Sequence, residues 1–207
     1  MIREPLPRLH AITDERIARR ADLNDVAREL ASGGGADLAL HARGHTLSGL
    51  ESYELANRLS AYPPTRLFVN ERLDVALGVE GGAAGVQLRL DGLTPADARR
   101  LDPDWWIGVS VHDLEEAAAA QAAGADYLLV GPVYATATHP DRAPLAAQRL
   151  AAVVELGLPV IAIGGVTPDR IAPLKAAGVY GAAAIRALWD AADPAGVARR
   201  MLRELNG

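Results

Sequence analysis

The sequence predicts an α/β fold, a (β/α)8 TIM barrel formed as a single domain over residues 1–207. Short apolar runs alternate with helical patterns rich in Ala, Leu and Arg along the whole chain. Such alternation predicts β/α units and a parallel sheet. Their number and even spacing favour a closed barrel, and a doubly wound open sheet is the alternative. A chain of 207 residues is long enough for one such barrel.

The predicted strands are short apolar runs bounded by residues that favour turns. In chain order they are Leu9–Ile12, Leu38–Ala42, Arg66–Val69, Gly85–Leu88, Trp106–Ser110, Tyr127–Val130, Val160–Ile163 and Gly181–Ala184. Each is four to five residues long, which suits strands buried on both faces.

The predicted helices lie between and after these strands. They are Leu23–Ala31, Ser48–Ser60, Arg72–Val79, Pro95–Leu101, Leu114–Ala123, Ala146–Leu156, Pro168–Ala177 and Pro194–Leu205. Thr94 before Pro95, and Thr167 before Pro168, are typical of an N-cap followed by proline at the first helical position. Gly124 and Gly178 stand where a helix has to end.

Composition and charge limit the function classes. Hydrophobic residues make up 50% of the chain and the net charge is −5, so we expect no general attraction to nucleic acid or anionic membranes. The absence of cysteine excludes disulfides and thiolate chemistry. We find neither a signal peptide nor an apolar run of membrane-spanning length, so a cytoplasmic location is expected. Trp105 and Trp106 could anchor either the core or a homodimer contact.

A phosphate site is predicted at the ends of the last two strands. Gly164 and Gly165 separate a buried strand from a helix start, where free N–H groups and the helix dipole favour an anion. The next strand ends at Ala184 and is followed by Ile185 and Arg186, and loops after the last two strands of a (β/α)8 barrel often bind phosphate. A Gly-Gly pair alone is more often only a tight turn.

Polar side chains lie near the ends of the other predicted strands or just after them, where a barrel places its active site. They are Thr13, Asp14, His41, Arg43, His45, Asn70, Glu71, Gln87, Arg89, Asp91, Ser110, His112, Thr136, Thr138 and His139. A lone histidine at a strand end is usually structural, but four at one barrel face favour chemistry or anion binding. The candidate substrate-binding residues are Arg43, Asn70, Ser110, Thr136, Thr138 and His139.

Five segments resemble the thiamine phosphate synthase/TenI superfamily. They are Leu9–Asp14, Val69–Leu77, Gly108–Ala117, Ala123–Thr138 and Leu158–Thr167, and they keep the family's order and spacing over nearly the whole chain. The resemblance implies a (β/α)8 barrel and a role in the thiazole branch of thiamine biosynthesis, with a small phosphorylated thiazole as ligand. Where the family usually has Ser, this chain has Arg186, which either contacts the phosphate or pairs outward with a carboxylate.

Departures from the synthase pattern bear on which enzyme of the superfamily the chain resembles more. Synthases join a pyrimidine diphosphate to a thiazole phosphate and expel pyrophosphate, which needs Mg²⁺ and several cations. Of the Gln-Leu-Arg-x-Lys segment this chain keeps only Arg43, and His139 replaces a later Lys. Glu71 stands where the synthases have their first metal-binding Asp. At the position of their second metal-binding Asp this chain has Gly92, and the nearest carboxylate, Asp91, comes one residue before it.

These departures favour a TenI-type thiazole tautomerase, which aromatises a dihydrothiazole carboxylate phosphate by a proton shift and needs no metal or other cofactor. The resemblance assigns the base to His112, a residue type suited to proton transfer near neutral pH. Arg43 would neutralise the substrate carboxylate, or else form a structural ion pair with Glu71 or Asp91. The alternatives are a synthase that binds Mg²⁺ through Glu71 and Asp91, and a non-catalytic binder of thiazole or thiamine phosphate.

Overall fold

The computed structural model describes residues 4–136 and 144–207. Eight parallel strands follow one another around a closed barrel in the order β1 to β8, and β8 pairs with β1. This confirms the predicted (β/α)8 barrel and excludes the open sheet. No helix within the described ranges is both long and apolar enough to cross a membrane.

The strands are β1 Leu9–Ile12, β2 Leu38–Ala42, β3 Arg66–Asn70, β4 Gly85–Arg89, β5 Trp106–Val111, β6 Tyr127–Val130, β7 Val160–Ile163 and β8 Gly181–Ala184. The helices are α1 Glu15–Ala18, α2 Leu23–Gly34, α3 Gly49–Ser60, α4 Leu73–Gly78, α5 Pro95–Leu101, α6 Leu114–Ala122, α7 Ala147–Val154, α8 Ile171–Ala176, α9 Arg186–Trp189 and α10 Pro194–Asn206. Two 3₁₀ turns cover Gly35–Asp37 and Pro168–Arg170.

The start of α8 corrects one prediction. Thr167 has an extended backbone, but its side chain makes no capping hydrogen bond, and Pro168–Arg170 form a 3₁₀ turn before α8 begins at Ile171. The reason is Pro173, which has no N–H to donate to the carbonyl of Asp169 and would interrupt an α-helix begun at Pro168. By contrast, Thr94 caps α5 through the backbone N–H of Asp97 at 3.2 Å, as predicted.

Side chains of the strands alternate between two apolar layers, as the period of two requires. One layer fills the barrel interior and includes Ile12, Ala39, Phe68, Tyr127 and Ile161. The other lies between the strands and the surrounding helices and includes Trp105, which is 3% exposed. Interior positions near the carboxyl ends of the strands therefore form the mouth of the barrel.

The chain before β1 closes the opposite end of the barrel. Leu6 is 3% exposed and belongs to the interior layer, and its carbonyl accepts a hydrogen bond from Tyr180 Oη at 2.6 Å. Trp106 Nε1 donates to the carbonyl of Glu4 at 3.0 Å. Both tryptophans thus have structural contacts within this chain, and the predicted homodimer stays a prediction.

Candidate active site

Thr13 joins the ends of β1 and β2 and positions Arg43 at the barrel mouth. Its fully buried hydroxyl lies 2.9 Å from the backbone nitrogen of Arg43, from which it accepts, and 2.8 Å from the Arg43 carbonyl. The Thr13 N–H donates to the His41 carbonyl at 3.2 Å. The backbone on both sides of Arg43 is therefore fixed by a side chain from the neighbouring strand end.

The guanidinium of Arg43 faces a histidine. Burial lowers the pKa of Arg43, and the nearby carboxylates of Glu15 and Glu71 oppose that shift. Its Nη2 donates to Nε2 of His45. Among the residues that the structure describes, Arg43 forms no ion pair with a carboxylate, so the structural pair with Glu71 or Asp91, weighed as its alternative role, is not observed.

Glu71 has an unusual backbone conformation. Its φ of 64° lies in the left-handed region, and it is the one non-glycine residue of the described chain for which this holds. The N–H of Arg72 donates to the carbonyl of Asn70 at 2.7 Å, which makes Glu71 the centre of a three-residue γ-turn. The Glu71 N–H donates to the Gln87 carbonyl at 2.9 Å and ties the turn to β4. Such strain persists mainly at functional sites.

Glu71 and Asp91 line the same cavity, which opens at the ends of β3 and β4. The cavity has a volume of about 320 Å³ and is lined by Glu71, Leu88, Arg89, Asp91, Gly92 and Leu93. Arg89 binds the Asp91 carboxylate through Nε at 2.9 Å and Nη2 at 2.8 Å. These hydrogen bonds lower the pKa of Asp91, so its carboxylate is ionised at neutral pH. Within the described ranges, no three His, Asp or Glu side chains cluster as a metal site.

Ser110 is held at the mouth by a buried amide. Gln87 is 1% exposed, and its Nε2 donates to the Ser110 hydroxyl at 3.0 Å. Because the hydroxyl oxygen accepts this bond, its own proton is available to a ligand. The sequence identified Ser110 as a candidate but gave no indication that Gln87 would orient it.

The hydrogen bonds of His112 define which of its nitrogens can exchange a proton. Nδ1 lies 2.5 Å from the Gly131 carbonyl, which can only accept, so Nδ1 carries hydrogen and Nε2 holds the lone pair in the neutral ring. The His112 N–H donates to Glu116 at 2.7 Å. Asp113, not His112, caps α6, through the Glu116 N–H at 2.9 Å. The N-cap of α6 is therefore the residue after His112, and His112 itself takes no capping role.

The predicted phosphate-binding segments lie side by side at the mouth. Ile163 of β7 pairs with Ala183 of β8, which brings Gly164 and Gly165 next to Ala184 and Ile185. Both glycines have positive φ, 98° for Gly164 and 62° for Gly165. Within the described chain, the N–H groups of Gly165 and Ile185 donate to no protein acceptor. Arg186 follows directly as the first residue of α9.

The tight packing of this loop explains its glycines. A Cβ on Gly164 would lie 2.6 Å from Pro132 Cβ, and one on Gly165 would lie 2.6 Å from the Ala135 carbonyl oxygen. Thr136 ends the described part of the β6 loop and keeps its predicted substrate-binding role as a prediction. Thr138 and His139 lie outside the described residues.

The comparisons with known proteins assign the family. The family model described as thiamine monophosphate synthase matches residues 9–188. The chain belongs to this family. It is 40% identical over 208 residues to a thiamine-phosphate synthase of Salinispora tropica, covering 97% of this chain and 98% of that protein. A thiamine-phosphate synthase of Methanospirillum hungatei is 38% identical over 198 residues, covering 93% of this chain and 94% of that protein.

A solved structure agrees with these relatives. A thiamine phosphate pyrophosphorylase from Pyrococcus furiosus superposes with a TM-score of 0.81 at 32% identity, covering 96% of this chain and 95% of that one. The chain is thus a member of a family of thiamine-biosynthetic enzymes. The names of these relatives fit the synthase alternative better than the tautomerase that we favoured from the sequence.

Proposed function

We propose that this chain is a thiamine phosphate synthase, which joins a pyrimidine diphosphate to a thiazole phosphate and releases pyrophosphate. The observation that carries the proposal is the cavity shared by Glu71 and Asp91. The sequence argument against a synthase rested on the altered positions of these carboxylates and on the missing lysines of the diphosphate site. In the structure, Glu71 and Asp91 line one cavity, and relatives named thiamine-phosphate synthase are up to 40% identical over almost the whole chain. Both findings weaken the argument against a synthase.

Glu71 and Asp91 form a donor set that fits Mg²⁺. Magnesium is typically held by one or two carboxylates and keeps several waters and substrate phosphates as its other ligands. A cluster of three protein ligands is therefore not needed. When bound, the ion would neutralise charge on the diphosphate leaving group. The γ-turn holds the Glu71 backbone in a strained conformation, and the proposed ligand role gives a reason for retaining it.

Two guanidinium groups complete the proposed diphosphate site. Arg89 lines the cavity, and Arg43 lies at the end of the neighbouring strand β2, within the electrostatic reach of Glu71. Guanidinium groups bind phosphate oxygens through paired hydrogen bonds. In the bound state, Arg89 would divide its donors between Asp91 and the diphosphate. Arg43 is retained from the family pattern, so Arg89 would compensate in part for the lysines that this chain lacks.

The thiazole phosphate would bind at the opposite side of the mouth. The N–H groups of Gly165 and Ile185, which have no acceptor within the described chain, lie on adjacent strand ends, and backbone N–H groups in such loops suit phosphate oxygens. This arrangement separates the two phosphorylated substrates between β3–β4 and β7–β8. The distance between the sites would leave the reacting rings between them, over the mouth of the barrel.

The synthase proposal is tested with the purified full-length chain, a pyrimidine diphosphate and a thiazole phosphate. We expect release of one pyrophosphate per condensed product with Mg²⁺, and none when EDTA removes the metal. Pyrophosphate can be followed by an enzyme-coupled assay and the product by mass spectrometry. No product at saturating substrates and Mg²⁺ would contradict the proposal.

The tautomerase is a second candidate because of one observation on His112. With Nδ1 hydrogen-bonded to Gly131, Nε2 is the nitrogen able to accept and return a proton. This role needs no metal. The expectation from the sequence that the chain works without a metal or other cofactor stays a prediction. Proton NMR of the dihydrothiazole substrate in metal-free buffer would show aromatisation by the wild type. His112→Ala should then lower the rate by about 10²–10⁴-fold with almost unchanged ligand binding, whereas Arg43→Ala should impair both.

A further inference from the structure

A chain of three hydrogen bonds runs through the barrel from its closed end to its mouth. His10 Nε2 lies 2.9 Å from the Pro7 carbonyl, and His10 Nδ1 lies 2.8 Å from His41 Nε2. His41 Nδ1 lies 3.0 Å from the amide oxygen of Asn70, at the end of β3. Both imidazoles are 0% exposed. None of these bonds is used in the proposed reaction.

Counting protons along this chain reveals a conflict. The Pro7 carbonyl only accepts, so His10 Nε2 carries hydrogen, and a neutral His10 must accept at Nδ1 from the His41 Nε2–H. A neutral His41 then has only a lone pair at Nδ1. That lone pair cannot bond to the Asn70 oxygen, which is also an acceptor. With the oxygen in this position, the two rings would have to share one extra proton and a buried positive charge.

The surroundings of the two rings oppose that charge. Phe68 stacks on His41 with ring centroids 5.1 Å apart, and Tyr127 lies 5.8 Å from His10. Burial lowers the pKa of His41, the hydrogen bond to the Asn70 oxygen opposes this shift and the positive charge of Arg43 adds to it, and the net result is a pKa of about 4. The pKa of His10 is likewise lowered, first by burial and then by His41. Within the described chain, no carboxylate contacts either ring, so nothing compensates a proton there.

A half-turn of the Asn70 amide resolves the conflict. The oxygen and nitrogen of an asparagine amide exchange places with little change in shape, and the hydrogen-bond network decides between them. We propose that the neutral His10–His41 pair orients Asn70 so that its amide nitrogen donates to His41 Nδ1 and its oxygen faces the barrel mouth. His10 and His41 are then positioning residues that act through Asn70.

The consequence is a hydrogen-bond acceptor at the mouth where the other rotamer would place a donor. The outer amide atom of Asn70 has no protein partner in the described chain, yet it is not among the buried unpaired atoms, so it keeps contact with solvent. An oxygen there suits a ligand group that donates a hydrogen bond, such as an amino group or a water bound to a cation. It disfavours a direct contact with a phosphate oxygen.

The test is ¹⁵N NMR of the histidine side chains in the full-length wild-type chain at pH 7, with the signals assigned by His10→Phe and His41→Phe. We expect both rings to be neutral, with hydrogen on Nε2 and an unprotonated Nδ1. The ¹⁵N shifts report which ring nitrogens carry hydrogen. A purely structural role of the two histidines in packing would not determine these positions. A protonated His41 Nδ1 in the wild type would overturn the proposal.

Asn70→Asp provides an independent test, because a carboxylate can only accept. We expect a hydrogen to appear on His41 Nδ1 in this variant. Asn57→Asp is the matched control, since the Asn57 side chain accepts from the Glu80 N–H at 3.0 Å outside the barrel interior, and it should leave the His41 signals unchanged. An Asn70→Asp spectrum identical to that of the wild type at His41 would contradict the proposed orientation. Neither spectrum depends on which reaction the chain catalyses, so the inference and the proposed function can fail separately.

Discussion

Glu71 combines a strained backbone with a proposed ligand role, and these two properties can be separated by mutation. A left-handed conformation costs a non-glycine residue about 1–2 kcal/mol, and glycine in exchange loses about 0.5–1 kcal/mol through its more flexible unfolded state. We therefore expect Glu71→Gly to raise the free energy of unfolding in urea by about 0.5–1 kcal/mol while the enzymatic activity falls. Glu80→Gly is the control, because Glu80 has no positive φ, and it should only lower stability. A loss of stability in Glu71→Gly would show that the turn is not strained.

At the scale of single residues, only part of the site could be predicted from the sequence. The pattern placed Arg43, Asn70, Ser110 and His112 at the strand ends or just past them, where a barrel places its active site. It could not predict the left-handed conformation of Glu71, since backbone torsions depend on the hydrogen bonds that form around the turn. The buried bond between His10 and His41 was equally hidden, because it joins two strands at a register that only the folded barrel defines.

At the scale of elements, the predicted strands agree with β1–β8 because each apolar run is bounded by turn residues. Three observed strands extend one residue further, at Asn70, Arg89 and Val111. The helices α1 and α9 were missed, since four residues are too few to show a helical period. Sequence patterning thus predicts the strands and the longer helices, whereas the four-residue helices α1 and α9 form where the mouth loops pack.

The loop between β7 and α8 provides a test at this scale. Gly157 and Gly165 both have positive φ, 88° and 62°, but a Cβ would meet open space at Gly157 and the Ala135 carbonyl oxygen at Gly165. Gly157→Ala should lower the free energy of unfolding by about 1 kcal/mol. Gly165→Ala should cost about 1–3 kcal/mol more and should weaken binding of the thiazole phosphate in calorimetry. Equal stability and unchanged affinity in the two variants would contradict the close packing of this loop.

For the whole molecule, the buried histidines predict how stability depends on pH. The pKa of His41 falls to about 4 in the folded chain from 6.5, so between these values the unfolded state binds more protons and stability decreases as the pH falls. From pH 7 to 5.5 this amounts to about 1 kcal/mol for His41, and His10 acts in the same direction. Urea unfolding at the two pH values should therefore show a smaller decrease in His41→Gln than in the wild type. The exposed His45 serves as the control through His45→Gln, and equal decreases in the wild type and His41→Gln would contradict the neutral pair.

The central claim for the whole enzyme is that Glu71 and Asp91 together hold the metal on which the proposed synthase reaction depends. Its most direct test is the Mg²⁺ concentration that gives half-maximal pyrophosphate release, measured for the wild type, Glu71→Gln, Asp91→Asn and the control Glu80→Gln. A carboxylate that binds the ion contributes a charged interaction of about 1.5–3 kcal/mol. We predict that the half-saturating Mg²⁺ concentration rises roughly tenfold or more in each of the first two variants and stays unchanged in Glu80→Gln. Half-saturation at the wild-type Mg²⁺ concentration in Glu71→Gln and Asp91→Asn would contradict the claim.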